Sequence, residues 1–169
     1  MPQPTVSLRP WLADDFALLE RLMGDPRMTE HLGGPESPKK LRERNEKYAR
    51  IRGSGTGEML VICEGTDATP VGSIGYWERE WQGETVWETG WMVVPEAQGR
   101  GIATRALSLL LERMPRDEIH RTMHAYPGVD NGPSNAICRK AGMTLIGQAD
   151  VEFPPGHPMR VNDWFIEVG

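Results

Sequence analysis

Apolar positions follow two different periods along the chain, and the change from one to the other divides it. Thr5 to Trp11 alternates Val6 and Leu8 with polar neighbours, the two-residue period of a half-buried strand. Asp14 and Asp15 then precede Phe16, Leu18, Leu19, Leu22 and Met23 at helical spacing, which predicts a helix with an acidic cap. Gly33, Gly34, Pro35 and Pro38 break the chain before Lys39 to Arg52. The apolar positions of that charged segment, Leu41, Tyr48 and Ile51, are sparse, so it reads as an exposed second helix. From Glu58 the period becomes that of strands. Met59 to Cys63, Val71 to Trp77 and Thr85 to Val94 are short β-prone runs with short connections, which predicts an antiparallel meander.

Helical spacing returns at Ile102, Ala103, Ala106, Leu107, Leu110 and Met114, a helix that Pro115 stops and that would pack on the sheet. A short strand over Arg121 to Tyr126, a helix over Pro133 to Ala141 ended by Gly142, and strands over Met143 to Gly147 and Val161 to Val168 complete the reading. Between the last two strands, Phe153 to Met159 holds three prolines and a glycine, which suits a rigid surface loop placed over a site.

Composition narrows the classes. With 169 residues, 38% hydrophobic and 25% charged, residues 1–169 are expected to form one domain. No stretch approaches the roughly 20 apolar residues of a membrane span, and Met1 to Leu8 lacks the basic and apolar regions of a signal peptide, so a cytoplasmic location without a membrane partner is expected. Cys63 and Cys138 are too few for a disulfide framework or a Cys-rich zinc site, and His120, His124 and His157 show no metal-like spacing, so no metal is expected. A net charge of -5 argues against a nucleic-acid partner and is compatible with a cationic substrate.

The chemistry concentrates where Val93-Val94-Pro95-Glu96-Ala97-Gln98-Gly99-Arg100-Gly101-Ile102-Ala103-Thr104 carries a strand through a glycine turn into an amphipathic helix. A helix N-terminus leaves its first N–H donors unpaired and partially positive, and glycines remove side chains that would obstruct an anion. A pyrophosphate suits such a turn. A Walker A loop is excluded by the missing Gly-Lys-Ser/Thr. A dinucleotide fingerprint would want a small residue where Thr104 stands and an acidic residue after the next strand, where Tyr126 and Pro127 stand instead.

Gln98-Gly99-Arg100-Gly101-Ile102-Ala103 resembles the Gln/Arg-x-x-Gly-x-Gly/Ala signature of the GCN5-related N-acetyltransferases (GNAT), which bind the pyrophosphate of CoA there. Glu88 to Pro95 looks like the strand before that signature, and Asn131 to Met143 resembles the family's Asn-x-x-Ser-x-x-x-x-x-Lys-x-Gly-Phe segment. Leu8-Arg9-Pro10-Trp11 and Asp163-Trp164-Phe165 are similar to the branch that acetylates ribosomal-protein N-termini. The resemblance implies an α/β GNAT fold, a mixed, mostly antiparallel sheet of six to seven strands flanked by helices. It implies an N-acetyltransferase that moves acetyl directly from acetyl-CoA to a primary amine, either a protein N-terminus or a small amine.

The resemblance also distributes roles. Met92, Val93 and Val94 would meet pantetheine through backbone groups, Met92 or Val93 polarising the thioester carbonyl, and Gln98, Gly99, Arg100, Gly101, Ile102, Ala103 and Thr104 would hold the pyrophosphate. Arg100 is placed for a CoA phosphate, although the corresponding residue in the family often points to solvent. Glu88 lies four residues before Met92 on one strand face and is the candidate proton acceptor, the alternative being a solvated or ion-paired carboxylate. Several relatives carry a tyrosine at Cys138 that protonates the departing thiolate; here Ser134 or a water is the candidate for that role, the alternative being a thiolate that leaves with little help, and Cys138 reads as a small apolar helix residue. Asn131 either orients pantetheine or caps a helix.

On the acceptor side, Trp77 and Trp81 are candidates for stacking on a cation, with core packing as the alternative. His31 precedes the glycine turn where the family's first two helices often wall the acceptor site; a surface histidine is the other reading. Lys39 to Arg52 reads as a solvated basic face or as an attractor of an acidic partner. Relatives are often dimers, so a homodimer is the implied assembly. A catalytically weak module that binds or senses CoA is the competing function.

Overall fold

The computed structural model describes residues 3–169 as one seven-stranded sheet, ordered β1-β2-β3-β4-β5-β7-β6, with helices on both faces. Strands β1 (Val6–Pro10), β2 (Gly57–Glu64), β3 (Thr69–Trp81) and β4 (Glu84–Val93) form an antiparallel run. β5 (Thr122–Ala125) joins β4 in parallel, and β7 (Pro158–Glu167) and β6 (Thr144–Glu152) continue antiparallel from it. This is the mixed, mostly antiparallel α/β architecture that the pattern and the resemblance predict.

Helices α1 (Phe16–Met23) and α3 (Pro38–Ile51) pack together on one face, with Ile51 lying where a Cβ at Gly57 would be. Helices α4 (Ile102–Glu112) and α5 (Gly132–Lys140) cover the other. Leu19 and Leu22 of α1, Leu60 and Ile62 of β2, Ile74 of β3, Leu107 and Leu110 of α4 and Met123 of β5 are fully buried in one cluster. Each such side chain contributes about 1.5–3 kcal/mol of burial. Among the described residues, no helix is long and apolar enough to cross a membrane.

Several local expectations change. Asp15 does not cap α1. Its carboxylate makes a two-pronged pair with Arg9 at 2.8 and 2.9 Å and accepts the Leu12 N–H at 2.8 Å. Burial pushes its carboxyl up, and the Arg9 hydrogen bonds and the Leu12 N–H together bring it below the ordinary value. Trp11 donates its indole N–H to Asn45 at 2.9 Å, and Asn45 donates to Ala13 O, so the opening Arg-Pro-Trp locks β1 to α1 and α3.

A short helix, α2 (Pro26–Thr29), interrupts the expected break, its start capped by Asp25, which accepts the Arg27 N–H at 2.8 Å. β3 runs further than predicted and meets β4 at Gln82-Gly83, both with positive φ, as a tight hairpin whose twist matches the strands requires. The predicted loop Phe153 to Met159 shrinks to a hairpin turn closed by Phe153 N–H to His157 O at 2.9 Å. β6 extends to Glu152 and β7 starts at Pro158, a first-residue position where proline has no N–H to lose.

Candidate active site

The site begins with an incomplete ladder. β4 and β5 pair at only two positions, Trp87↔Met123 and Glu88↔His124, so from Thr89 to Val93 the β5 side of β4 faces a gap. Backbone groups along such an edge need partners, and an extended ligand arm can supply them. At the far end of the gap, a short 3₁₀ turn (Pro95–Ala97) leads into Gln98, whose amide donates to Val93 O at 2.8 Å and pins the loop to the end of the strand.

Gly99 and Gly101 follow with φ of 75° and 78°, and a Cβ at either would meet nothing within 4 Å. The glycines therefore answer a backbone requirement and leave open space above the first turn of α4. Ile102 and Ala103 are buried in the core, so only their backbone N–H groups face that space, while Thr104 is half-buried. Arg100 does not point there: its guanidinium is paired with Glu64 of β2. Val94 has both backbone groups engaged, its N–H by Val71 O and its C=O by the Ala97 N–H, each at 2.9 Å. Val93 O is likewise engaged, by the Gln98 amide, so the backbone of this strand end is partly satisfied within the chain.

α1 and α2 lie beside the loop, with Arg21 paired to Glu96 and the Gln98 amide 3.4 Å from Met28 Sδ. The turn after α2 reaches across the gap. A Cβ at Gly33, itself at φ +86°, would come within 2.7 Å of Pro154 Cδ in the β6–β7 turn. Because α1 packs over β3 and the β6–β7 hairpin lies beyond β5, this contact spans the opening between β4 and β5 on the α1/α3 face. His31 precedes that turn, exposed and 3.2 Å from Glu30.

Glu88 is half-buried where the β4–β5 ladder stops, and Arg79 donates to it at 2.5 Å. Trp77, its register partner on β3, lays its ring over Gly90, where a Cβ would sit 3.1 Å from it. The Arg79 guanidinium carbon sits 4.9 Å from the Trp81 ring and 4.6 Å from the Tyr126 ring. Trp81 in turn donates to Asp163 at 3.0 Å, and Asp163 holds the buried His124 ring at 2.6 Å. Trp81 is thus held in place by its neighbours.

At the start of α5, Asn131 accepts the Ser134 N–H at 3.2 Å, which is the helix-cap arrangement. The Ser134 side chain is half-buried and makes no hydrogen bond within the described protein. Cys138 is fully buried, and burial pushes its thiol up to about 12, which removes it from proton transfer near neutrality. Sequence reasoning passed over Arg79, Tyr126, Asp163 and Asn135. The last of these, buried, accepts the Trp164 indole N–H at 2.8 Å and donates to Asn131 O at 2.7 Å, joining α5 to β7.

The family described as "Acetyltransferase (GNAT) domain" matches residues 5–144. The chain belongs to that family. As a GNAT member it is an acetyl-CoA-dependent N-acetyltransferase, and the open strand edge, the two unobstructed glycines and the free N–H groups of α4 are chemically suited to the pantetheine and pyrophosphate of that cosubstrate. Among curated proteins, none matches the chain by sequence.

Among solved structures, it is similar to the ribosomal-protein α-N-acetyltransferase RimL in complex with coenzyme A, at 22% identity over 97% of this chain and 94% of that one, TM-score 0.80. It is also similar to spermidine N-acetyltransferase from Vibrio cholerae with CoA and spermine, at 17% identity over 96% and 95%, TM-score 0.77. An aminoglycoside acetyltransferase with coenzyme A aligns at 18% identity over 96% and 95%, TM-score 0.74.

Proposed function

We propose that the chain, acting as one catalytic domain, transfers acetyl from acetyl-CoA directly to a primary amine, with Glu88 receiving the amine's proton. The observation that carries this reading is the gap between β4 and β5, bounded by Glu88 at one end and by the glycine turn and the α4 N-terminus at the other.

Acetyl-CoA supplies the acetyl group activated as a thioester. In this reading its pyrophosphate rests on the backbone N–H groups of Gly99 to Thr104, and Met92 and Val93 pair with pantetheine, one of their amides polarising the thioester carbonyl. Asn131 holds the start of α5 so that Ser134 faces the departing sulfur. A primary alkylamine with a pKa of about 10 is mostly protonated near neutrality and must lose a proton before it attacks. Glu88 takes that proton, directly or through a water. The nitrogen bonds to the carbonyl carbon, the carbon–sulfur bond breaks, and Ser134 or a water gives the thiolate its proton.

The acceptor enters from the α1/α3 face, beneath the Gly33–Pro154 bridge and past His31 and Trp77. Protein N-termini and polyamines are the acceptor classes we favour, because the relatives similar to this chain include a ribosomal-protein N-acetyltransferase and a spermidine N-acetyltransferase. A cytoplasmic enzyme, working as a monomer or homodimer without nucleic-acid or membrane partners, fits this reading.

A module that binds CoA without turnover is the second reading, favoured by the Arg79 guanidinium on Glu88 and by the buried Cys138. Glu88→Gln separates the two. Acetyl-CoA affinity should persist, while acetylation of a panel of N-terminal peptides, polyamines and aminoglycosides should fall by about 10²–10⁴. A wild-type protein that binds acetyl-CoA and acetylates none of the panel would leave the binding module as the function.

A further inference from the structure

The Tyr126 hydroxyl is buried and has no hydrogen-bond partner. Its ring is fully accounted for by packing: Trp81 at 4.7 Å between centroids, His124 at 5.7 Å nearly parallel, and the Arg79 guanidinium at 4.6 Å. A phenylalanine would make the same contacts. A buried polar group left unpaired costs about 1–3 kcal/mol, so folding alone gives no reason for this oxygen.

Its position does. Tyr126 follows the last residue of β5, just past the point where the β4–β5 ladder ends, and it lies on the same face of the sheet as Glu88, Trp77 and Trp81. That is the α1/α3 face, opposite α5. The charged groups around it are the carboxylates of Asp163 and Glu88 and the single guanidinium of Arg79. Two carboxylates and one guanidinium thus lie near the ring, with the buried His124 imidazole held against Asp163.

We infer that the Tyr126 hydroxyl is a contact for the acceptor amine: its oxygen accepts a hydrogen bond from the amine N–H beside Glu88, orienting the nitrogen toward the gap. The inference rests on the amine-acetylation reading and adds the residue that recognises the acceptor as a cation. Burial, then the Asp163 carboxylate, push the phenol above its ordinary value, so it stays protonated through the neutral range and serves as an orienting contact rather than a proton acceptor.

The test is Tyr126→Phe, which keeps the ring packing. Calorimetry with acetyl-CoA and with a conjugate joining CoA to spermidine through an acetyl bridge reads the contact without turnover. The variant should bind acetyl-CoA like wild type and the conjugate about tenfold more weakly, while kcat/KM for spermidine or a serine-initiated peptide falls at least as much. The melting temperature of the free protein should hold or rise, because the orphaned hydroxyl is gone. Undiminished conjugate binding, or equal losses for acetyl-CoA and conjugate, would overturn the inference. Wild type that binds the conjugate no better than acetyl-CoA would overturn it too, and a wild type inactive on every amine despite this contact would fail the acetylation reading instead.

Discussion

Gly101 is the position where loop geometry and anion binding can be separated by two substitutions. Its φ of +78° places it in the left-handed region at the N-cap of α4, and a Cβ there would meet nothing within 4 Å. Gly101→Ala therefore adds strain and no clash, about 1–2 kcal/mol for an L-residue held left-handed. For a chain of this length that lowers the melting temperature by about 2–4 °C per kcal/mol. Gly101→Glu carries the same strain and also places a carboxylate over the first N–H groups of α4. At about 5 Å and an effective dielectric between 20 and 80, each phosphate charge repels it by about 1–3 kcal/mol. Calorimetric titration of acetyl-CoA should thus show Gly101→Glu binding roughly tenfold to a hundredfold more weakly than Gly101→Ala, with similar melting temperatures for the two. Equal affinities would place the pyrophosphate elsewhere. If wild type took up NADH in place of acetyl-CoA, the dinucleotide reading of the turn would return.

Two further outcomes test the packing that holds the site. Asp15→Asn should lose about 1–2 kcal/mol at pH 7 by urea unfolding, discounted because Arg9 is partly solvent-screened. The folded Asp15 carboxyl lies below its unfolded value near 3.9, so this stability is present above that pH and is lost as pH falls through the folded value. The gap between wild type and variant should narrow as pH falls below about 4, and a gap unchanged on acidification would refute the ion-pair account. Cys63 and Cys138 are both buried with thiols pushed up by burial, so a thiol-reactive dye should leave the native protein unlabelled and label two sites after denaturation. Rapid native labelling at Cys138 would return it to the list of proton donors.

Much of this architecture is readable from local pattern. Residues Val6, Leu8 and the α1 and α4 stripes bury one face each, so their period reports the contact they make. The glycine turn is readable because Gly99 and Gly101 meet a backbone demand that few other residues meet. α2 was missed because four residues are too short to carry a period, and its start depends on one Asp25 cap. The full lengths of β3 and β6 were missed because strand ends are set by the neighbouring strand: β6 is exposed along most of its length and is ordered by its ladder with β7. Asp15 misled for a related reason. A carboxylate before a helix looks like a cap, and only the fold brings Arg9 within 3 Å of it.

The acceptor side was illegible for a deeper reason, and that reason constrains how the enzyme works. Its charges come from β3, β4 and β7, and partners such as Trp81 and Asp163 stand 82 residues apart, so no spacing in the sequence joins them. Read alone, Glu88 is a free carboxylate at the right height on a strand. In the fold it already has a cation, Arg79, whose guanidinium lies against two aromatic rings. On the proposed reading, an ammonium arriving at Glu88 exchanges with or joins a resident cation instead of meeting a bare charge. If Glu88 receives the amine as proposed, acceptor selection depends on whether that amine can approach it beside a fixed guanidinium. On that reading a slender primary amine is favoured over a bulky one, and the discriminating contacts lie at Arg79 and Tyr126 rather than in the cofactor loop.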